Sequence, residues 1–171
     1  MKKLTTIFAL AVSVFAFSQT ENSSLERKND IMINPFVLLA GGIGFSYERV
    51  LNQDAGIGAA TILVFGSSDS ENTASQFTAF YRYYFGKKNN ATGFFVGPLI
   101  GFTDYRYYPL FSNELKHESL FGVGFNFGGK WYTKKNLLFE ASLGFGRNLG
   151  SSSENDNPIL STGMLGIGYR F

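Results

Sequence analysis

The sequence predicts an all-β fold, an eight-stranded antiparallel up-and-down transmembrane β-barrel, and three observations carry that prediction. First, the closing stretch ILSTGMLGIGYRF alternates strictly: Phe171, Tyr169, Ile167, Leu165 and Gly163 share one face, against Arg170, Gly168, Gly166, Met164 and Thr162. A face that is apolar and aromatic, backed by one that is small or polar, marks a strand with lipid outside and a narrow lumen inside. Second, seven more alternating segments precede it, joined by connections that are short and long in turn. Third, no segment reaches the ~18 uninterrupted apolar residues of a spanning helix. A chain crossing a bilayer without such helices needs a closed barrel, the other structure that satisfies every backbone group in lipid.

The N-terminus gives the address. Lys2 and Lys3 precede an apolar run over residues 7–17 that only Ser13 interrupts, and Ala16-Phe17-Ser18 places small residues where a signal peptidase reads. Residues 1–18 are therefore expected to be a secretory signal peptide, with Sec-type export and cleavage near Ser18-Gln19. A retained N-terminal anchor helix is the less favoured alternative, because the run is too short to span. Residues 19–30 then read as a short periplasmic tail and 31–171 as the barrel. Hydrophobic residues make up 44% of the chain, which alone would not distinguish it from a soluble domain; the aromatic share of 17% and the 20 glycines are the unusual values. Cysteine is absent, which excludes a disulfide framework and thiol chemistry. Loss of Lys2 and Lys3 with the leader would leave 13 basic residues against 13 acidic ones, so nucleic-acid binding has no electrostatic support.

The strands are placed in order. The first is expected at 31–40, with Gly41-Gly42 reversing it into 43–50. Residues 51–54 turn into 55–65, and the Ser/Asp-rich loop 66–74 leads to 75–85. The turn 86–91 precedes a strand at 92–105, the loop 106–117 one at 118–132, and the turn 133–136 one at 137–148. Loop 149–158 comes before the closing strand. From a periplasmic N-terminus, the inner connections are the short ones and the outer ones longer, as in bacterial outer-membrane barrels. The first outer connection, at Gly41-Gly42, is the exception.

The facing pattern repeats. Phe77, Ala79, Tyr81, Tyr83 and Phe85 oppose Gln76, Thr78, Arg82 and Tyr84; Phe121, Val123, Phe125, Phe127 and Trp131 oppose a face of Gly122, Gly124, Asn126, Gly128 and Lys130. Tyr83, Phe85, Trp131, Tyr169 and Phe171 fall near the inner rim and are expected to form an aromatic girdle. The third segment, GIGAATILVFG, is apolar on both faces and has no assignable orientation. Five charges point inward near the inner end of their strands: Glu48, Arg82, Lys130, Glu140 and Arg170. Charges in a narrow lumen have to be paired, so they are read as one ion-paired plug in preference to a gate.

INP (residues 33–35), GFSYERVL (44–51), FYRYYFG (80–86), GFFVGPLIG (93–101) and the terminal GIGYRF together resemble the small outer-membrane β-barrel proteins of the OmpX and OmpA-transmembrane-domain type, most of all an uncharacterised branch of them. The resemblance spans the mature chain and is architectural. It implies the outer membrane of a Gram-negative bacterium and carries over no catalytic residue.

Five sets of residues invite chemistry or binding. The inward glycines recur at strand period with no strand-to-helix step, which excludes a phosphate-binding loop; they make room for Phe80, Tyr84 and Leu99. His117 and Ser119 resemble the catalytic pair of the lipid A deacylase PagL, with Glu114 or Glu118 to orient the histidine, although a solvated loop histidine is the preferred reading. Asp69 with Glu71, and Glu154 with Asp156, are candidate Ca²⁺ or Mg²⁺ ligands, but their spacing matches no calcium loop. Tyr105, Arg106, Tyr107, Tyr108, Leu110 and Phe111 form an aromatic outer loop suited to recognition. Lys87, Lys88, Lys134 and Lys135 on the inner turns suit phospholipid headgroups.

The sequence thus leads to a monomeric, non-enzymatic barrel with no cofactor and no metal, and with a structural or surface-contact role through its outer loops. Its expected partners are outer-membrane lipid, lipopolysaccharide and, through the C-terminal strand, the barrel-assembly machinery. A PagL-like ester hydrolase is the first alternative. A narrow pore is the second, disfavoured because eight strands enclose an interior that side chains fill.

Overall fold

Proline and alternation between them decide the strand pattern seen in the computed structural model, which describes residues 27–39, 41–65, 73–85, 90–107, 116–133, 135–149 and 159–171. The elements are β1 (Asn29–Ile33), α1 (Pro35–Leu39), β2 (Gly42–Val50), β3 (Ala55–Val64), β4 (Thr73–Phe85), β5 (Gly93–Tyr107), β6 (Lys116–Tyr132), β7 (Leu137–Leu149) and β8 (Ile159–Arg170). Each strand pairs antiparallel with its sequence neighbours, and β1 pairs with β8 to close an eight-stranded barrel. No helix among the described residues is long and apolar enough to cross a membrane.

The first segment departs from expectation. A single strand over 31–40 is replaced by the five-residue β1 and the helix α1. FVLL alternates poorly, and Pro35 has no N–H to continue a ladder but suits the first turn of a helix. Asn34 caps that turn, its Oδ1 accepting from the Phe36 N–H at 3.2 Å. The first outer connection therefore runs from Asn34 through α1 to Gly41, whose φ of +73° favours glycine. β1 also begins two residues earlier than expected, which moves Asp30 from the tail into the wall. β5 and β6 extend further outward than expected, so Arg106, Tyr107 and His117 stand on strands and not in the loop expected over 106–117.

The faces of β4, β6, β7 and β8 follow the alternation. Phe77, Tyr83, Phe125, Leu143 and Ile167 are exposed outward, whereas Thr78, Arg82, Asn126, Glu140 and Arg170 are buried inward. β3 is now oriented. Ile57 pairs with Arg49 and Tyr81 and is half exposed on the outer face. Gly56 and Gly58 face the lumen, because a side chain at Gly56 would meet the Glu48 carboxylate and one at Gly58 the Phe80 ring. These glycines allow two bulky groups from neighbouring strands to lie flat against the wall.

Inside, buried apolar residues form separate clusters. Val50, Tyr84, Ala91 and Phe95 close the inner end; Met32, Leu138 and Met164, with Tyr132 against them, pack beside β1; Phe80, Leu99 and Leu160 fill the lumen farther out, with Ala60 against them. The charged layer lies among these clusters.

Candidate functional site

The inward charges of β1, β2, β4, β6, β7 and β8 meet in one continuous chain of ion pairs. Arg170 Nε donates to Asp30 at 2.6 Å, and Lys130 Nζ bridges Asp30 at 2.9 Å and Glu48 at 2.8 Å. Arg82 then links Glu48 at 2.7 Å to Glu140, which it grips with two parallel bonds of 2.8 Å. Tyr84 Oη donates to Glu48 at 2.6 Å, and Ser142 Oγ to Glu140 at 2.7 Å. Asp30, Glu48 and Lys130 have no solvent exposure at all.

Three cations thus face three anions. The five charges expected from the sequence all join this layer, and the sixth, Asp30, falls outside the expected strands, in the stretch that reads as an N-terminal tail. The imbalance was a readable signal: three inward cations with two carboxylates leave one buried positive charge uncompensated, which a narrow lumen does not tolerate.

Aromatic rings hold the cations from above and below. The Arg82 guanidinium lies 3.9 Å from the centroid of Phe80 and 4.3 Å from that of Phe95, so it is stacked between two faces. Lys130 Nζ lies 4.9 Å from the Tyr84 ring centroid and the Arg170 guanidinium 5.0 Å from that of Tyr132. Arg170 also donates to the Asn90 carbonyl at 2.6 Å, tying the layer to the inner turn of β4 and β5. Above the layer, Arg82, Phe80, Leu99 and Asn126 border a void of about 30 Å³, room for one or two waters. The inner end of the lumen is therefore sealed by charge pairs and packed rings.

The expected girdle residues Tyr83, Phe85, Trp131 and Phe171 stand half exposed on the outer face at the inner rim, and Phe94, paired with Phe85, stands among them. Tyr169 is more covered, its hydroxyl accepting from Arg27 at 2.9 Å.

A second cluster lies at the opposite end and on the opposite face. His117 Nε2 is 2.8 and 2.9 Å from the two carboxylate oxygens of Asp104, and Ser119 Oγ donates to the same carboxylate at 3.0 Å. Asp104, not Glu118, therefore orients His117; strand alternation sends Glu118 to the other side of β6. Asp104 pairs directly with Ser119 across β5 and β6, a cross-strand relationship that a search within the His-Glu-Ser triplet could not find. In a serine relay the imidazole stands between hydroxyl and carboxylate. Here the carboxylate stands in the middle and takes the hydroxyl proton's hydrogen bond itself.

Arg106 is exposed on β5 beside this cluster. Tyr108, Leu110, Phe111 and Glu114, the acidic pairs Asp69–Glu71 and Glu154–Asp156, and Lys87, Lys88 and Lys134 lie outside the described residues, as does the expected signal peptide. Lys135 is exposed on the turn between β6 and β7. Among the described residues, no group of three or more His, Cys, Asp or Glu side chains could hold a metal ion.

No family model matches the chain, and no curated protein matches it. Solved structures do. The N-terminal β-barrel domain of Pseudomonas aeruginosa OprF superposes with a TM-score of 0.54 at 17% identity, over 85% of this chain and 98% of that one. Ail, the attachment invasion locus protein of Yersinia pestis, superposes with a TM-score of 0.51 at 16% identity, over 85% of this chain and 99% of that one. The chain thus shares the eight-stranded barrel fold of both.

Proposed function

We propose that the protein is a barrel of the Gram-negative outer membrane whose role is structural or one of surface contact, exercised through its outer connections. The observation that carries this reading is the contrast between the two faces of the wall. Outside, large apolar side chains such as Phe45, Ile100, Phe125, Leu143 and Ile167 stand about half exposed around the barrel, far beyond the patch a soluble monomer leaves uncovered. Inside, a neutral set of six charges closes the passage. A wall that wants lipid and a lumen sealed at its inner end leave the outer connections as the part that meets partners.

Export with cleavage near Ser18-Gln19, recognition of the C-terminal strand by the barrel-assembly machinery, a monomeric barrel, and contact of the outer rim with lipopolysaccharide all belong to this proposal. The pore reading has the sealed charge layer against it. The hydrolase reading has the position of Asp104 against it.

The test is complementation of a strain lacking the protein with the parent chain, or with a chain in which residues 66–72, 108–115 and 150–158 are replaced by short Gly/Ser turns. Both should fractionate with the outer membrane, and only the parent should restore detergent resistance or surface attachment. Recovery of the parent in the periplasm would contradict the membrane placement. Equal complementation by both chains would move the role from the connections to the barrel wall.

A further inference from the structure

The barrel wall is incomplete in its outer half, and proline is the cause. Asn29 and Phe171 exchange both backbone hydrogen bonds, at 3.0 and 2.8 Å. Such rungs recur at every second residue of an antiparallel pair, so the β1–β8 register would next set Pro35 opposite Leu165. Proline has no N–H to give. The ladder stops, and α1 swings over the lumen face of β2, with Val37 packed where side chains at Gly42 and Gly44 would otherwise point.

Among the described residues, β8 therefore has no strand on that side from Leu165 outward. Two side-chain amides take its carbonyls instead: Asn34 Nδ2 donates to Gly163 O at 3.2 Å, and Gln76 Nε2 reaches Ser161 O at 2.9 Å. These contacts satisfy hydrogen bonds without filling the wall. A cleft of about 600 Å³ opens beside them. It passes over the notch at Gly163, which faces outward without a side chain, and joins lipid-facing Leu143 and Leu165 to lumen-facing Ile62 and Met164. A neighbouring hollow of about 430 Å³ shares Ile62, Leu143 and Gly163, and it continues toward the outer rim among Ser75, Gln76, Thr103 and Ser161.

We propose that this lateral cleft takes up one acyl chain of an outer-leaflet lipid, its polar end at Gln76 and Ser161 and its chain directed inward past Gly163; the proposal rests on the reading of the barrel as membrane-spanning. The occupant follows from continuity and polarity. The mouth of the cleft is part of the lipid-facing belt, so acyl chains are its immediate neighbours, and water entering its apolar depth would find few partners. Ser75, Gln76, Thr103 and Ser161 lie toward the outer rim, where a lipid headgroup lies; the deeper lining is apolar apart from Asn34 and Ser142, which are bonded to Gly163 O and Glu140. A methylene occupies about the 30 Å³ of a liquid water molecule, so the 600 Å³ cleft holds about twenty chain carbons.

The test uses the full chain in nanodiscs of phosphatidylcholine containing a fraction of phosphatidylcholine with a terminal photoreactive diazirine on one chain. After irradiation, mass spectrometry maps the labelled residues. Label is expected on Val123 and Phe125 of the outer belt and also on Ile62 and Met164 inside. In Gly163→Leu, label on Ile62 and Met164 should fall by about tenfold, the loss expected when roughly two methylenes lose their burial, with the belt unchanged. Ile62→Trp fills the lumen end from β3, with the sequence of β8 unchanged, and should likewise lower the label on Met164. Both variants are checked for folding by their heat-modifiable gel shift. Belt labelling with Ile62 and Met164 unlabelled would overturn the cleft and leave the membrane reading standing. Labelling of neither set would overturn the membrane reading and the cleft with it. Unchanged interior labelling in a folded Gly163→Leu would overturn this route of entry.

Discussion

Lys130 Nζ lies 2.9 Å from the carboxylate of Asp30, a residue one hundred positions earlier in the chain, and neither group is exposed to solvent. The pair joins the first short strand to the long β6 across the lumen and completes a layer with no net charge. Taking a charge out of water costs several kcal/mol even after relaxation, and removing one partner of a buried pair leaves the other uncompensated.

Asp30→Asn keeps the shape of the side chain and removes its charge. Lys130 then retains Glu48, but Arg170 loses its only carboxylate in the layer. The expected loss is about 3–5 kcal/mol, read as a lower urea midpoint from Trp131 fluorescence in lipid vesicles. Glu140→Gln should fall in the same direction. A midpoint unchanged for both would show that the six groups are not coupled.

Arg82→Lys keeps the charge and removes the geometry. An ammonium cannot make the paired bonds to Glu140 or lie flat between Phe80 and Phe95. A loss of about 1–3 kcal/mol follows from the forfeited fork and stacking. In a double-mutant cycle, Arg82→Lys and Glu140→Gln should be non-additive by more than ~0.5 kcal/mol; additive losses would place the two side chains in separate roles.

The carboxylate-centred arrangement of Asp104, His117 and Ser119 predicts no acyl chemistry. Mass spectra of lipid A and phospholipids from cells making the parent, the His117→Ala variant or neither should agree. Acyl changes produced by the parent and lost in the variant would make the protein a hydrolase.

Much of this architecture is legible in the sequence because a barrel wall enforces period two: Phe77 to Phe85 and Phe121 to Phe127 betray their outward face by alternation alone. The parts that are not legible lack that contrast. β3 is small or apolar on both faces, and only its register with Arg49 and Tyr81 orients it. Pro35 sits in an apolar run, and its effect depends on a partner, Leu165, that sequence distance hides. Asp30 and Asp104 meet their ion-pair partners only through the strand register, since neither is near its partner in the chain.

The seal itself is open to direct measurement by single-channel recording of the purified full chain in planar lipid bilayers. With Asp30, Glu48, Arg82, Lys130, Glu140 and Arg170 paired across the lumen, the parent should show no steady conductance across the voltage range. A steady, reproducible conductance from the parent would contradict the sealed lumen and make the protein a pore.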